Sequence, residues 1–258
     1  MAFVIACFAT ATQAAEDGSV RSSRMMPAAS SGDHLWFCAE VQNPRAGYLL
    51  CHVDLRQSPP ALTTVADSLI LAHPPQAMAA WGDRVWLVTR PIREQRRQRR
   101  EVFTVRVARN QAMGVNYFLP HDRLEMAPEL SGQGSVGGMV GSEEGPIVLL
   151  VPLQRDLAGV EASNQDGDAP ARMVRPQLLR LTADAWQSLD LPEEMAADPE
   201  ALLATGGPDG EWLQVFTREP DSTQILVHRR DRSGTWTSTP VPFALSSLLG
   251  ATNVGAQT

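Results

Sequence analysis

The chain contains no lysine; all 22 of its basic residues are arginines, a bias of genome composition rather than of function. Against them stand 29 acidic residues, giving a net charge of −7. Six arginines (Arg90, Arg93, Arg96, Arg97, Arg99 and Arg100) fall in one short run, so the rest of the chain is more acidic still. A dedicated nucleic-acid binder spreads basic charge over a face to displace counterions along many phosphates. That spread is missing, and the run holds no interleaved aromatic to stack on a base, which argues against specific nucleic-acid recognition. Only two tyrosines occur, Tyr48 and Tyr117, and no Tyr/Glu nucleophile pair stands out. Neither Gly-x-Ser-x-Gly nor His-Glu-x-x-His is present, so two common signatures of hydrolytic chemistry are missing. The five histidines are scattered without an evident Asp/Glu relay. No stretch approaches the ~20 apolar residues that span a bilayer as a helix. No segment of useful length carries a helical 3.6-residue apolar rhythm.

What is present is the composition of a globular protein: 258 residues, 43% apolar and 20% charged, enough for a sizeable core. The first residues, MAFVIACFATATQAAEDG, run from an apolar stretch into small residues, as a secretory signal does. Residues 1–15 are read as that signal, with cleavage near Ala14 or Ala15, although no basic residue precedes the apolar part. Export to the periplasm or beyond is the expectation, and a cytoplasmic location the alternative.

The chain repeats. SSGDHLWFCAEV (30–41) matches AAWGDRVWLVTR (79–90): each has Gly-Asp, one polar residue, then an apolar residue and Trp. GMVGSEEGPIVLLVPL (138–153) and ATGGPDGEWLQVFT (204–217) continue the series. A second apolar segment follows in each unit: GYLLCHVDL (47–55), EVFTVRVAR (101–109), PQLLRLTA (176–183) and QILVHRRD (224–231). The last two units add third segments with Trp, Ser and Pro at the same places, DAWQSLDLP (184–192) and GTWTSTPVP (234–242). Short segments rich in Val, Leu, Trp and Phe and bounded by Gly, Pro, Asp and Asn read as strands. The period of about 50 to 65 residues marks a repeat architecture. One four-stranded meander cannot bury both faces, whereas meanders fanned around an axis cover one another.

DGEWLQVF and GTWTSTPVP carry the closest resemblance to Kelch-like β-propeller blades, in which inner strands hold glycine and a Trp precedes a Leu…Pro segment. The double glycine typical of that family after the second strand is absent here. RRDRSGTW (229–236) is similar to the Asp-box of sialidase-type propellers, a folding turn, with Gly234 displaced by one place and the leading Ser missing. The resemblance implies an all-β propeller over residues 25–258, with about four four-stranded blades in units 25–72, 73–130, 131–192 and 193–245. Residues 246–258 read as the first strand of a further blade, so the ring is expected to be incomplete; a closed four-bladed ring with the tail packed in is the alternative.

The arginine run lies between the second and third strands of the second unit, where a loop tip is expected. The corresponding connection of the third unit, 154–176, is long and acidic, with Asp156, Glu161, Asp166 and Asp168. Either the two tips neutralise one another in solvent, or Arg93, Arg96, Arg97, Arg99 and Arg100, with Asp166 and Asp168 beside them, dock a protein or other acidic ligand. A solvated tip implies that replacing all six arginines by Ser leaves folding intact. In the first hairpin, a turn centred between Pro44 and Arg45 pairs Cys38 with Cys51, Trp36 with Val53 and Phe37 with His52. That register offers a cross-strand disulfide in an oxidising compartment, or two packed thiols otherwise. It puts His34 on the cysteine side and His52 on the other, which is not a closed zinc set. NQDGD (164–168) lacks the ligands of a calcium loop. GQGSVGG (132–138) leads to a strand rather than a helix and so makes no phosphate cradle. No cofactor, metal or catalytic residue is indicated. The reading that results is an exported propeller module for binding or scaffolding; the competing one is part of a propeller enzyme, of glycan-hydrolase or oxidoreductase type, completed by blades outside this chain.

Overall fold

The computed structural model describes residues 27–244, apart from 42–46, 57, 60, 65–74, 90–91, 95–96, 107, 111–114, 118–124, 133, 153–174, 193–194, 196–197, 199, 207–211 and 220–221. The described residues form strands and no helix. The first sheet holds β1 (Ala28–Ser31), β2 (His34–Val41), β3 (Gly47–Asp54) and β4 (Ala61–Thr64), paired in chain order. The second runs β5 (Ala77–Trp81), β6 (Arg84–Val88), β8 (Arg97–Arg106) and β11 (Glu125–Ser131), with β7 (Ile92–Glu94) pairing to the start of β8. A small hairpin, β9 (Ala108–Asn110) with β10 (Val115–Tyr117), interrupts it before β11. The third sheet is β12 (Ser135–Val140), β13 (Ile147–Val151), β14 (Gln177–Leu181) and β15 (Trp186–Leu189). The fourth is β16 (Leu202–Gly206), β17 (Trp212–Arg218), β18 (Gln224–Arg230) and β19 (Trp236–Ala244). Every pairing is antiparallel.

The way the sheets pack makes them blades. Successive first strands touch in the series β1, β5, β12, β16. Side chains alternate across a strand, and in the middle blades both sets are buried. On β6, Val85 and Leu87 join Trp36, Cys38 and Leu50 of the first blade, while Trp86 and Val88 join Met139, Val148 and Leu150 of the third. On β13, Val148 and Leu150 face the second blade, and Ile147, Leu149 and Val151 face Leu203, Leu213 and Val215 of the fourth. IVLLV is therefore an unbroken apolar run because it is buried on both sides. The fold is an all-β propeller of four-stranded blades. No hydrophobic cluster joins the fourth blade back to the first among the described residues, so the ring stays open there.

Repeated residues repeat the same contacts. Gly32 and Gly82 both take left-handed backbone, φ 55° and 56°, in the Gly-Asp turns that open β2 and β6. The Gly82 amide donates to Ser31 Oγ at 2.7 Å, tying one turn to the other. The Trp at the head of each of the last two outer strands also reaches the preceding blade. Trp186 Nε1 donates to the Pro128 carbonyl at 2.8 Å, and Trp236 Nε1 to the Asp190 carbonyl at 2.9 Å. The Asp-box-like turn sets up the second of these: Asp231 Oδ1 accepts from Ser233 Oγ at 2.6 Å and the Thr235 amide at 2.9 Å, closing the loop before Trp236. Those contacts hold the Asp231 carboxyl below its ordinary range.

Candidate functional site

The arginine run is not a loop tip. After Val88 the chain pairs through Thr89, whose amide donates to the Glu101 carbonyl at 3.0 Å, and continues as β7 against the first residues of β8. Ile92 lies opposite Arg99, Arg93 opposite Gln98, and Glu94 opposite Arg97. The result is a β-ribbon that prolongs the second blade; residues 95–96, and with them Arg96, lie outside the described residues. Arg93 and Arg97 are placed as backbone of the ribbon. Arg99 is on its surface, with Nη1 3.6 Å from Glu129 Oε2 and both side chains about half exposed.

Arg100 corrects the expectation for the run as a whole. It is fully buried. Its guanidinium donates to the Gly134 carbonyl at 2.5 Å, to the Gly132 carbonyl at 3.2 Å and to Gln76 Oε1 at 3.4 Å. Gln76 precedes the first strand of its own blade, while Gly132 and Gly134 precede that of the third. Arg100 thus pins the root of the ribbon to both, and burial pulls its pKa below the ordinary arginine value. Asp166 and Asp168, the acidic half of the expected face, lie outside the described residues.

The end of β13, the start of β14, the β7–β8 ribbon and the approaches to β5 and β12 lie at one end of the blades. A cleft of about 220 Å³ opens at this end, lined by Arg175, Gln177, Ser188, Asp190 and Met195 among others. Ribbon and cleft therefore belong to neighbouring blades and to the same end of the fold.

The opposite end of the first blade holds a polar cluster that the sequence reading missed. The hairpin register is one residue away from the expected one: Cys38 pairs with Leu50, Phe37 with Cys51, Trp36 with His52 and His34 with Asp54. Cys38 and Cys51 leave opposite faces of the sheet, and both are buried thiols outside any disulfide. The disulfide expectation is thereby corrected, because the two Cβ vectors point apart. Burial, helped by the neighbouring Cys51, pushes the Cys38 thiol up to about 12, and its Sγ lies 3.9 Å from Met78 Sδ of the next blade. Burial raises the Cys51 thiol as well.

The same shift brings His52 onto the face of His34 and Trp36. His34 Nδ1 lies 2.9 Å from His52 Nε2, the two rings stack at 5.1 Å, and Trp36 tilts against His52 at 4.5 Å. Asp54 continues the row and is gripped by Arg56 through Nε at 2.9 Å and Nη2 at 2.8 Å. That grip holds the Asp54 carboxyl well below the usual carboxylate range. His52 is lowered to about 4, first by burial and then by the charge of His34. Unfolded, His52 titrates near 6.5; folded, it stays neutral down to about 4. Between these values the unfolded chain binds the extra proton, so stability falls as pH drops through this window. Denaturant unfolding at pH 7, 5.5 and 4.5 is expected to show that fall, and His52→Gln is expected to flatten it. The cluster can order the blade and sense acid; no described group of three or more His, Cys, Asp and Glu side chains is arranged to hold a metal ion.

No protein-family model and no curated protein matches the chain. Solved structures do. The structure of YjhT aligns over 86% of this chain and 66% of its own, at 13% identity and a TM-score of 0.44. Hydrazine synthase of Kuenenia stuttgartiensis aligns over 87% of this chain and 53% of its own, at 13% identity and 0.43. The β-propeller domain of the Trilobed protease from Pyrococcus furiosus, of open velcro topology, aligns over 83% and 56%, at 8% identity and 0.40. The likeness is one of fold. This chain spans between half and two thirds of the length of each of these structures. No helix among the described residues is long and apolar enough to cross a membrane.

Proposed function

We propose that this chain is an exported, Kelch-like propeller module that binds an acidic partner through the blade end bearing the arginine ribbon. Its amino-terminal signal, residues 1–15, lies outside the described residues. The observation that carries the reading is the division of labour between two adjacent arginines. Arg100 is buried and fixes the root of the ribbon, while Arg99 stands half exposed with a long contact to Glu129. A rigid ribbon presents charge at a smaller entropic cost than a floppy tip. Its arginines offer planar forks suited to carboxylates.

The test is a variant with Arg93, Arg96, Arg97 and Arg99 changed to Ser and Arg100 kept. A fluorescent polyglutamate peptide serves as probe, titrated at low and physiological salt. Wild type is expected to bind in a salt-sensitive manner, and the variant at least roughly tenfold more weakly, as the loss of a few exposed ion pairs implies. The melting temperature should be unchanged. Equal binding by the two proteins, or no binding by wild type, overturns the reading.

A further inference from the structure

We propose that Ser238 is an activated nucleophile, with His228 as its base, that accepts an acyl group from small carboxylic esters. The inference does not depend on the arginine ribbon. Ser238 lies on β19, the outer edge strand of the fourth blade, and is exposed. It sits directly opposite His228 of β18, and its Oγ is 2.8 Å from His228 Nδ1. The other ring nitrogen, Nε2, is 2.9 Å from Thr217 Oγ1 of β17. His228 and Thr217 are both buried. A nucleophile within reach of a base that a third group orients is the arrangement nucleophilic catalysis requires. Both partners are hydroxyls, able to donate or accept, and attack by serine requires one tautomer. For the serine hydroxyl to donate, Nδ1 must be free of its proton, so Nε2 carries the hydrogen and donates it to Thr217 Oγ1.

The edge also supplies a donor for a developing oxyanion. The Asp231 amide donates to the Thr235 carbonyl at 3.0 Å, so odd-numbered residues of β19 turn their backbone groups toward β18. Even-numbered residues as far as Pro240 turn theirs outward, which suits Pro240, since proline belongs where a strand's nitrogen faces solvent. Ser238 shares that parity, so its own amide points away from β18. Trp236, two residues earlier on the same face, packs like Leu189 and Leu191 against the cluster that contains Leu149 and Val215, and provides an apolar wall. An uncharged ester with a short acyl group fits this open, shallow site.

As the Ser238 Oγ–C bond forms, the hydroxyl proton passes to His228 Nδ1 and the carbonyl electrons move onto oxygen, beside the Ser238 amide. Collapse breaks the ester C–O bond, and the leaving alkoxide takes the proton from Nδ1. Water then attacks the acyl-serine, gives its proton to Nδ1, and the returning proton restores the Ser238 hydroxyl as the acid leaves. Throughout, Thr217 Oγ1 accepts from Nε2 and keeps the ring in orientation.

The experiment is labelling of the full chain with a fluorophosphonate probe, located by mass spectrometry, together with hydrolysis of p-nitrophenyl acetate. Ser238 is expected to be the labelled residue. Ser238→Ala, an exposed change, should keep the melting temperature and lose both signals. His228→Gln should slow labelling by about 100-fold, as loss of a general base does. Thr217→Val should still label at Ser238 but more slowly, because the tautomer is no longer fixed. Absence of label at Ser238 in wild type overturns the proposal. So does a rate that is the same in the His228→Gln protein.

Discussion

Replacing Arg100 with Ala is expected to destabilise the protein by roughly 2–5 kcal/mol, a large share of the stability of a domain this size. The side chain is fully buried and donates to the carbonyls of Gly132 and Gly134 and to Gln76. Removing it strands the buried Gly134 carbonyl away from water, at roughly 1–3 kcal/mol, takes a donor from the half-buried Gly132 carbonyl, and empties the space its stem fills. Arg100→Met keeps the stem and loses the donors, so the difference between the two variants separates packing from hydrogen bonding. Arg99→Ser is the matched control: its contact to Glu129 is long and exposed, and such pairs are worth about 0–1 kcal/mol. Urea unfolding of the three proteins beside wild type measures all of this. An Arg100→Ala midpoint equal to that of Arg99→Ser would show that the buried guanidinium does not hold the blades together. The blanket change of all six arginines to Ser is accordingly expected to fail because of one position.

The blades could be read from the sequence because each repeat carries its own turn and its own alternation. Gly32 and Gly82 announce equivalent turns, and Trp186 and Trp236 announce equivalent anchors, since both donate to a carbonyl of the preceding blade. The site was less legible for two physical reasons. Strand side chains have a period of two, so an error of one residue in the register of β2 against β3 exchanges faces. It put Cys51 in place of Leu50 opposite Cys38 and separated His34 from His52, which hid the buried pair. The second reason is that charge alone does not say where a strand ends. Arg97, Arg99 and Arg100 lie in β8, and only burial distinguishes the anchor from its neighbour. The Ser238–His228–Thr217 relay spans three strands, and its members come together only once both registers of the fourth blade are known.

Gly138→Val is expected to be among the most damaging single substitutions on the first strands, lowering stability by more than about 3 kcal/mol and cutting soluble yield. Strand propensity alone argues the other way: valine is favoured over glycine in a strand by up to roughly 1 kcal/mol. Close packing decides against it. A Cβ at Gly138 would lie 2.8 Å from the Leu203 amide nitrogen and 2.9 Å from its carbonyl oxygen, and one at Gly137 would lie 2.4 Å from the Ala201 carbonyl oxygen. These are backbone atoms of the neighbouring blade and cannot swing aside as a flexible side chain can. The third and fourth blades would have to separate where β12 meets β16, opening the cluster formed by Leu149, Leu203 and Val215. Gly82→Ala is the contrasting case. Its φ of 56° strains any other residue, by roughly 1–2 kcal/mol, but nothing lies within 4 Å of the new methyl. Measured side by side in urea, Gly138→Val should lose clearly more stability than Gly82→Ala. The reverse order would mean that the first strands are not in direct backbone contact, and that the blades are held apart by the side chains between them.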